Sequence, residues 1–361
     1  MLYHLLYPLR DQVGIFNVFR YITFRTALAA LTALLLSLIL GDWVIQRLRE
    51  MQVGQSIREE GPKSHKTKAG TPTMGGLLIV AAVVLPTLLW ADIHDELVWV
   101  ALASTLLFGG IGFWDDYLKV VRRHNLGLRA KGKMGLQLAA AGLIAIALLW
   151  LAGRGEFSTV LSVPFFKSVH PDLGAFYAFF IIVVIVGSAN AVNLTDGLDG
   201  LAIGSSLIAS GTFAILSYIA GNAIVADYLA VQNVKGAGEL TVFCGALVGA
   251  SLGFLWFNCN PAQVFMGDVG SMSLGAAIGT TAVLIKQEIL LLLVGGLFVL
   301  EAISVILQVA SFRLTGKRIF RMAPLHHHFE LLGWAEPKVI IRFWILALIF
   351  SLLSLSTLKL R

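Results

Sequence analysis

"LVWVALASTLLFGGIGFWDDYLKVVRR", residues 97–123, decides how the chain is read. No charge interrupts residues 97–114, a length that crosses a bilayer as a helix, and Asp115 and Asp116 follow directly. An aspartate at the centre of a spanning helix costs about 2.5–3.5 kcal/mol, whereas each Leu, Ile, Val or Phe returns only about 0.3–0.6 kcal/mol. The apolar run therefore cannot carry two central aspartates. The pair belongs at a membrane edge or in a wet cavity.

The rest of the chain agrees with a membrane setting. It has 361 residues, 57% hydrophobic and only 13% charged, about half the charged fraction of a soluble domain. The two cysteines, Cys244 and Cys259, form no disulfide framework and read as free thiols. The N-terminus lacks a short apolar stretch followed by a small-residue cleavage site, so the first apolar run is expected to be retained. Apolar runs of spanning length fall near 18–40, 73–91, 97–114, 134–152, 173–190, 200–220, 240–257, 269–285, 289–311 and 339–358. The expected fold is thus all-α, about ten transmembrane helices in a single multi-spanning domain over 1–361. Only "KQE", 286–288, separates the eighth run from the ninth. Tryptophans near run ends suit an interfacial belt, and alternating residues in 153–172 suggest a short hairpin.

Charge gives the chain an orientation. Arg47, Arg49, Arg58, Lys63, Lys66 and Lys68 share one loop, and Lys119, Arg122, Arg123, Arg129, Lys131 and Lys133 a second. Arg313, Lys317, Arg318, Arg321 and Lys338 share a third, so these loops hold most of the 27 Lys and Arg. Ten spans put all three on one face, which the positive-inside rule makes cytoplasmic, with both termini outside. Arg10, Arg20 and Arg25 disagree and are outvoted. No basic–aromatic surface stands apart from the bilayer, which excludes nucleic acid as a partner.

The polar motifs fall on that same face: "KAGTPTMGG" (68–76), "DDYLKVVRR" (115–123), "NAVNLTDGLDG" (190–200), "NCNPAQVFMGDVGS" (258–271) and "MAPLHHHFE" (322–330). A lone aspartate is ordinarily a helix cap or a solvated charge. Five of them, Asp115, Asp116, Asp196, Asp199 and Asp268, beside cationic loops, read instead as hard oxygen ligands for Mg²⁺ and substrate phosphates. In "TDGLDG" and "MGDVGS" glycines open apolar helices, where free N–H groups favour phosphate, although Asp-Gly is also an ordinary turn. His326, His327 and His328 are consecutive and have no cysteine nearby, so a closed zinc site does not fit. Imidazoles donating to a pyrophosphate do, and a solvated loop is the bland alternative. Carboxylates, cations and backbone donors beside a hydrophobic body suit phosphoryl transfer between a soluble phosphoanhydride and a lipid phosphate.

These motifs resemble the signature set of the phospho-N-acetylmuramoyl-pentapeptide transferases, within the polyprenyl-phosphate N-acetylhexosamine 1-phosphate transferases. The resemblance runs from about residue 17 to the C-terminus. It implies transfer of phospho-N-acetylmuramoyl-pentapeptide from its UDP derivative to undecaprenyl phosphate. The products are lipid I and UMP, with Mg²⁺ as cofactor, in the first membrane step of peptidoglycan synthesis at the bacterial inner membrane. By motif, Asp115, Asp116 and Asp268 match the essential acids, Asp268 as direct Mg²⁺ ligand and Asp116 in the metal site. Asn190, Asn193, Asp196 and Asp199 match the nucleotide-sugar loop, and Phe265, just before Gly267, an aromatic that stacks on uracil. Lys68, Thr73, Lys133 and Asn258 match polar pocket residues, and His326, His327 and His328 the histidine loop. The family also implies ten helices, outward termini and often a homodimer.

A relative using UDP-N-acetylglucosamine is the alternative within the class, and "MAPLHHHFE" with "GTPTMGG" favours the muramoyl-pentapeptide member. An ion-coupled transporter would need carboxylates near mid-helix, and only Glu301 lies well inside a span. Successive residues on a helix point about 100° apart, so Asp115 and Asp116 cannot face one metal in the same way if the helix continues through them, and the resemblance implies that Asp115 faces the lipid phosphate while Asp116 supports the metal site.

Overall fold

The computed structural model describes residues 1–51, 70–122, 127–164 and 169–358. In chain order the helices are α1 (Leu2–Leu6), α2 (Ile22–Glu50), α3 (Gly76–Trp90), α4 (Glu96–Arg122), α5 (Ala130–Gly153), α6 (Tyr177–Thr195) and α7 (Leu201–Gly221). They continue with α8 (Ala223–Tyr228), α9 (Ala237–Asn258), α10 (Gly267–Leu284), α11 (Glu288–Val294), α12 (Gly296–Thr315), α13 (Leu325–Leu331) and α14 (Glu336–Ser356). Eight of these are long and apolar enough to cross a membrane: α2, α4, α5, α6 with the turn before it, α7, α9, α12 and α14. The chain is an all-helical, multi-pass membrane protein.

Helix α2 shows how such a bundle packs. Its inward face carries small residues, Ala29, Ala33, Ser37 and Gly41, all buried, while Leu31, Leu35 and Ile39 point outward and are 46–73% exposed. Large apolar side chains turned away from the protein are what a lipid surroundings selects. The partner helix α9 answers with Gly245, Gly249 and Gly253, one turn apart; a Cβ at Gly249 would lie 2.0 Å from the Ala30 carbonyl oxygen. Removing side chains lets the two backbones touch, the usual source of helix association in lipid.

Two helices on the expected spans differ in character. Helix α3 has only 15 residues. Helix α10 is rich in Gly, Ser, Thr and Ala and is buried from Val269 to Leu284, packed against α3, α4 and α6. A helix enclosed by protein needs close backbone contacts more than apolar bulk. The run 289–311 is broken: α11 ends at Val294, and α12 begins at Gly296, whose missing side chain admits the Phe350 ring. The "KQE" turn is buried rather than solvated. Lys286 donates to the Tyr177 hydroxyl (2.6 Å) and the Ser158 carbonyl (2.9 Å), and lies 3.3 Å from Glu288. Of the hairpin expected in 153–172, the described residues show one isolated bridge, Val160 to Asp172. Arg25, which argued against the assigned orientation, is 2% exposed and pairs through both terminal nitrogens with Glu239, at 2.6 Å each. Its charge is cancelled within the bundle and carries little weight as a topology signal.

The crossing of α4 over α10 fixes the position of the acids. A Cβ at Gly112 would meet the Asp268 carbonyl oxygen at 2.2 Å, and one at Gly76 would meet the Gly270 nitrogen at 2.0 Å. Backbone stands in the way at both places, so no side chain can swing aside. Gly112→Ala is expected to destabilise the protein by about 1–3 kcal/mol, as overpacking does. Thermal unfolding in detergent checks this, and an unchanged midpoint contradicts the crossing described.

Candidate active site

Helix α4 does not stop at Trp114. It continues to Arg122, so Asp115 and Asp116 sit on its last turns, each 3% exposed. Both reach Asp268 in the first turn of α10, and one carboxylate oxygen from each of the three lies within 4.8 Å of the others. Neighbours on a helix point about 100° apart, yet both carboxylates reach the same group. Their secondary contacts do differ. Asp115 accepts the Leu128 N–H (2.6 Å) from the segment before α5, whereas Asp116 accepts the Val269 N–H (3.2 Å) at the start of α10.

Two ammonium groups sit among these acids. Lys119 Nζ lies 2.8 Å from Asp115, 3.2 Å from Asp116 and 2.8 Å from Asp268. Lys133 Nζ lies 2.6 Å from Asp268 and 3.4 Å from Asp115. Such buried carboxylates demand positive charge, and the lysines supply it. Lys119 was not singled out from sequence, although it stands three and four residues after the aspartates, the spacing that aligns side chains on one helix face. Three hard oxygen donors at this separation fit Mg²⁺ by donor chemistry.

The neighbouring loops complete the wall. Asn193, on the last turns of α6, donates to Asp268 (2.7 Å) and to Ser271 (2.8 Å). Gly267 adopts a φ of +71°, and a Cβ there would fall 2.5 Å from Asp116 Oδ2 and 3.0 Å from Thr73 Oγ1. Only glycine fits that position. The partly exposed Phe265 is held by backbone bonds to Pro72 and Gly75. Asp199 accepts from Asn260 (3.2 Å) and the Ala262 N–H (3.1 Å), while its own N–H donates to Glu336 (3.0 Å).

Asn190, Asn258 and the three histidines contact groups other than the acid cluster. Asn190 donates to Gln137 (2.7 Å) and to the Val186 carbonyl, a turn deeper than the acids. Asn258 ties two loops, accepting from Gly200 N–H (3.0 Å) and donating to the Val264 carbonyl (2.8 Å). The histidines diverge. His326 is fully buried, with Nδ1 3.2 Å from Glu301 and Nε2 against Gly197. His327 lies 2.8 Å from Glu330, and His328 Nδ1 accepts the Arg321 N–H. Only His326 reaches the nucleotide-sugar loop, and Glu301, noted in sequence merely as an acid inside a span, also accepts the Leu325 N–H that starts α13 (2.7 Å). Lys68 lies outside the described residues.

The pattern described as glycosyl transferase family 4 matches residues 98–286, and a phospho-N-acetylmuramoyl-pentapeptide-transferase signature matches residues 68–80. The fold and site define a membrane-embedded transferase of that broad class. Phospho-N-acetylmuramoyl-pentapeptide-transferases from Koribacter versatilis, Acidobacterium capsulatum and Desulfatibacillum aliphaticivorans are 58%, 60% and 59% identical to the chain, each over 100% of both sequences. The chain belongs to the phospho-N-acetylmuramoyl-pentapeptide-transferase family.

Asp196 follows the last residue of α6, and among the described residues no basic side chain pairs with it. Burial, and then the charges of Asp268, Asp116 and Asp199, push its carboxyl up to about 8. The folded state thus keeps a proton that the unfolded chain loses near pH 4, and stability falls as pH rises through the interval between those values. Asp196→Asn removes this dependence, so its advantage in unfolding temperature over wild type is expected to grow between about pH 5 and pH 9. Parallel unfolding profiles for the two proteins contradict the assignment.

Proposed function

We propose that this chain transfers phospho-N-acetylmuramoyl-pentapeptide from its UDP derivative to undecaprenyl phosphate, giving lipid I and UMP. The whole-length identity of 58–60% to relatives of that name carries this reading. The positive-inside reading of the sequence, in which the basic loops and the acidic motifs fall on one face, supports the cytoplasmic face of the bacterial inner membrane as the place of reaction. Both substrates and a second copy of the chain are the partners that go with it.

Each group then has work suited to its setting. Asp116 and Asp268, joined through the first turn of α10, would hold Mg²⁺ with Asp115 nearby, and the bound ion would neutralise charge on the pyrophosphate and the departing UMP. Lys119 and Lys133 offer positive charge to phosphate oxygens. Asn193 orients Asp268. The partly exposed Phe265 offers a ring face for uracil, and His326, locked against Glu301, shapes the loop that carries Asp196 and Asp199. Asp115 is anchored to the α5 side of the site and addresses the lipid phosphate, taking its proton when it still has one.

The division of labour has a kinetic signature. A phosphate monoester loses its second proton near pH 6, so help from a base matters at low pH and fades as the acceptor becomes dianionic. The loss of kcat/KM for the lipid acceptor in Asp115→Asn is expected to shrink between about pH 6 and pH 9, whereas the loss in Asp268→Asn persists and lies mainly in kcat. Radiolabelled transfer from the UDP substrate to undecaprenyl phosphate at saturating Mg²⁺ measures both. Parallel profiles would assign both acids to one role, and normal transfer by Asp268→Asn would remove the proposed reaction centre.

A further inference from the structure

A second group of ligating side chains lies at the other end of the bundle. Helix α3 begins at the acid site and runs 15 residues, roughly 22 Å, before the chain reaches Asp92 and His94. Against this turn packs α1, which brings in His4. His4 Nε2 lies 3.1 Å from Asp92 Oδ1, and His94 Nδ1 lies 3.2 Å from the same oxygen. The two imidazole rings meet edge to face, with centroids 4.5 Å apart. One ligand atom from each residue falls within 4.8 Å of the others.

Hydrogen bonding shows what this contact lacks. The Ile93 N–H points at His4 Nε2, at 3.2 Å, which makes that nitrogen an acceptor. In the tautomer that accepts this N–H, the nitrogen does not also donate to Asp92 Oδ1, 3.1 Å away. Asp92 Oδ1 meanwhile accepts the His94 N–H at 2.9 Å, which fixes the carboxylate in the turn. Glu239 does not neutralise the group: it accepts the Asp92 N–H and is itself taken up by Arg25. One carboxylate oxygen and two imidazole nitrogens converge here, and the N-terminal ammonium, which feels the Asp92 charge, donates instead to the Leu88 and Leu89 carbonyls. A tetrahedral Zn²⁺ with bonds of about 2.0–2.1 Å holds neighbouring donors roughly 3.3 Å apart. The observed separations of 3.1 and 3.2 Å match that edge. The side chains are also accessible, with Asp92 33% and His94 78% exposed, so an ion and its completing water can enter from solvent.

We propose that His4, Asp92 and His94 form a binding site for a divalent transition-metal ion of the zinc type, separate from the acid cluster. Two nitrogens and one oxygen suit Zn²⁺ better than Mg²⁺, which prefers oxygen alone. The ion would pin α1, 88 residues away in sequence, to the turn between α3 and α4. It would thereby couple the N-terminal segment to the helices that carry the acids at their far ends.

The test uses the full-length, tag-free protein in detergent with Mg²⁺ at saturation. Zinc retained after dialysis against Zn²⁺ is measured by mass spectrometry for wild type, His4→Ala, His94→Ala and Asp268→Asn. Wild type and Asp268→Asn are expected to hold one more zinc per chain than either histidine variant, whose affinity at this site falls by roughly tenfold or more. The histidine variants should keep their transferase turnover, which shows that they are folded. His4→Gln and His94→Gln, which keep polar bulk, decide the matter if alanine disturbs folding. Equal zinc uptake in wild type and folded histidine variants would overturn the proposal and leave the contact an ion pair only. Loss of zinc in Asp268→Asn alone would overturn it too, by placing the ion in the acid cluster.

Discussion

Three carboxylates sharing two ammonium groups are the contact on which the rest of this structure depends. Asp115, Asp116 and Asp268 come from the end of α4 and the start of α10, and Lys119 and Lys133 from α4 and α5. Withdrawing charge from water costs several kcal/mol per ion unless opposite charge replaces the solvent. The lysines do so in the structure, and a divalent cation or a substrate phosphate alters the balance when it arrives. A site of this kind holds its charge in readiness. Its groups are fixed by helices, but their partners are exchangeable.

Helix packing makes the gathering possible. Acids on two helices approach only if the backbones do, and the glycines at 76 and 112 bring α3 and α4 against α10 without intervening side chains. The same economy appears along α2 and α9, where small residues meet and bulky ones turn outward. Because α10 is enclosed, its sequence is free to be less apolar than that of a lipid-facing span, and it carries Asp268 into the bundle on its first turn.

Much of this was legible in the sequence, for a physical reason: a charge adjoining a long apolar run has few places to go. Asp115, Asp116 and Asp268 announced themselves that way, and Lys119 stood at helical spacing from two of them. Local pattern says less about which way a polar side chain turns within a crowded bundle. Asn190 and Asn193 are equally polar and one turn apart, yet the first meets Gln137 and the second Asp268. Consecutive histidines looked alike, but Glu301, some 25 residues earlier, claims His326 and buries it. The close packing at Gly296 and the burial of Lys286 likewise involve partners, Phe350 and Tyr177, that are distant in sequence.

At the centre of this reading, Asp116 and Asp268 at the α4–α10 crossing hold one divalent cation, with Asp115 beside it. Electron paramagnetic resonance of Mn²⁺, titrated into the detergent-solubilised protein as a stand-in for Mg²⁺, tests it without reference to turnover. The account predicts one Mn²⁺ per chain that Mg²⁺ displaces, with affinity about tenfold or more weaker in Asp268→Asn. Undiminished, Mg²⁺-competed binding in that variant would contradict it.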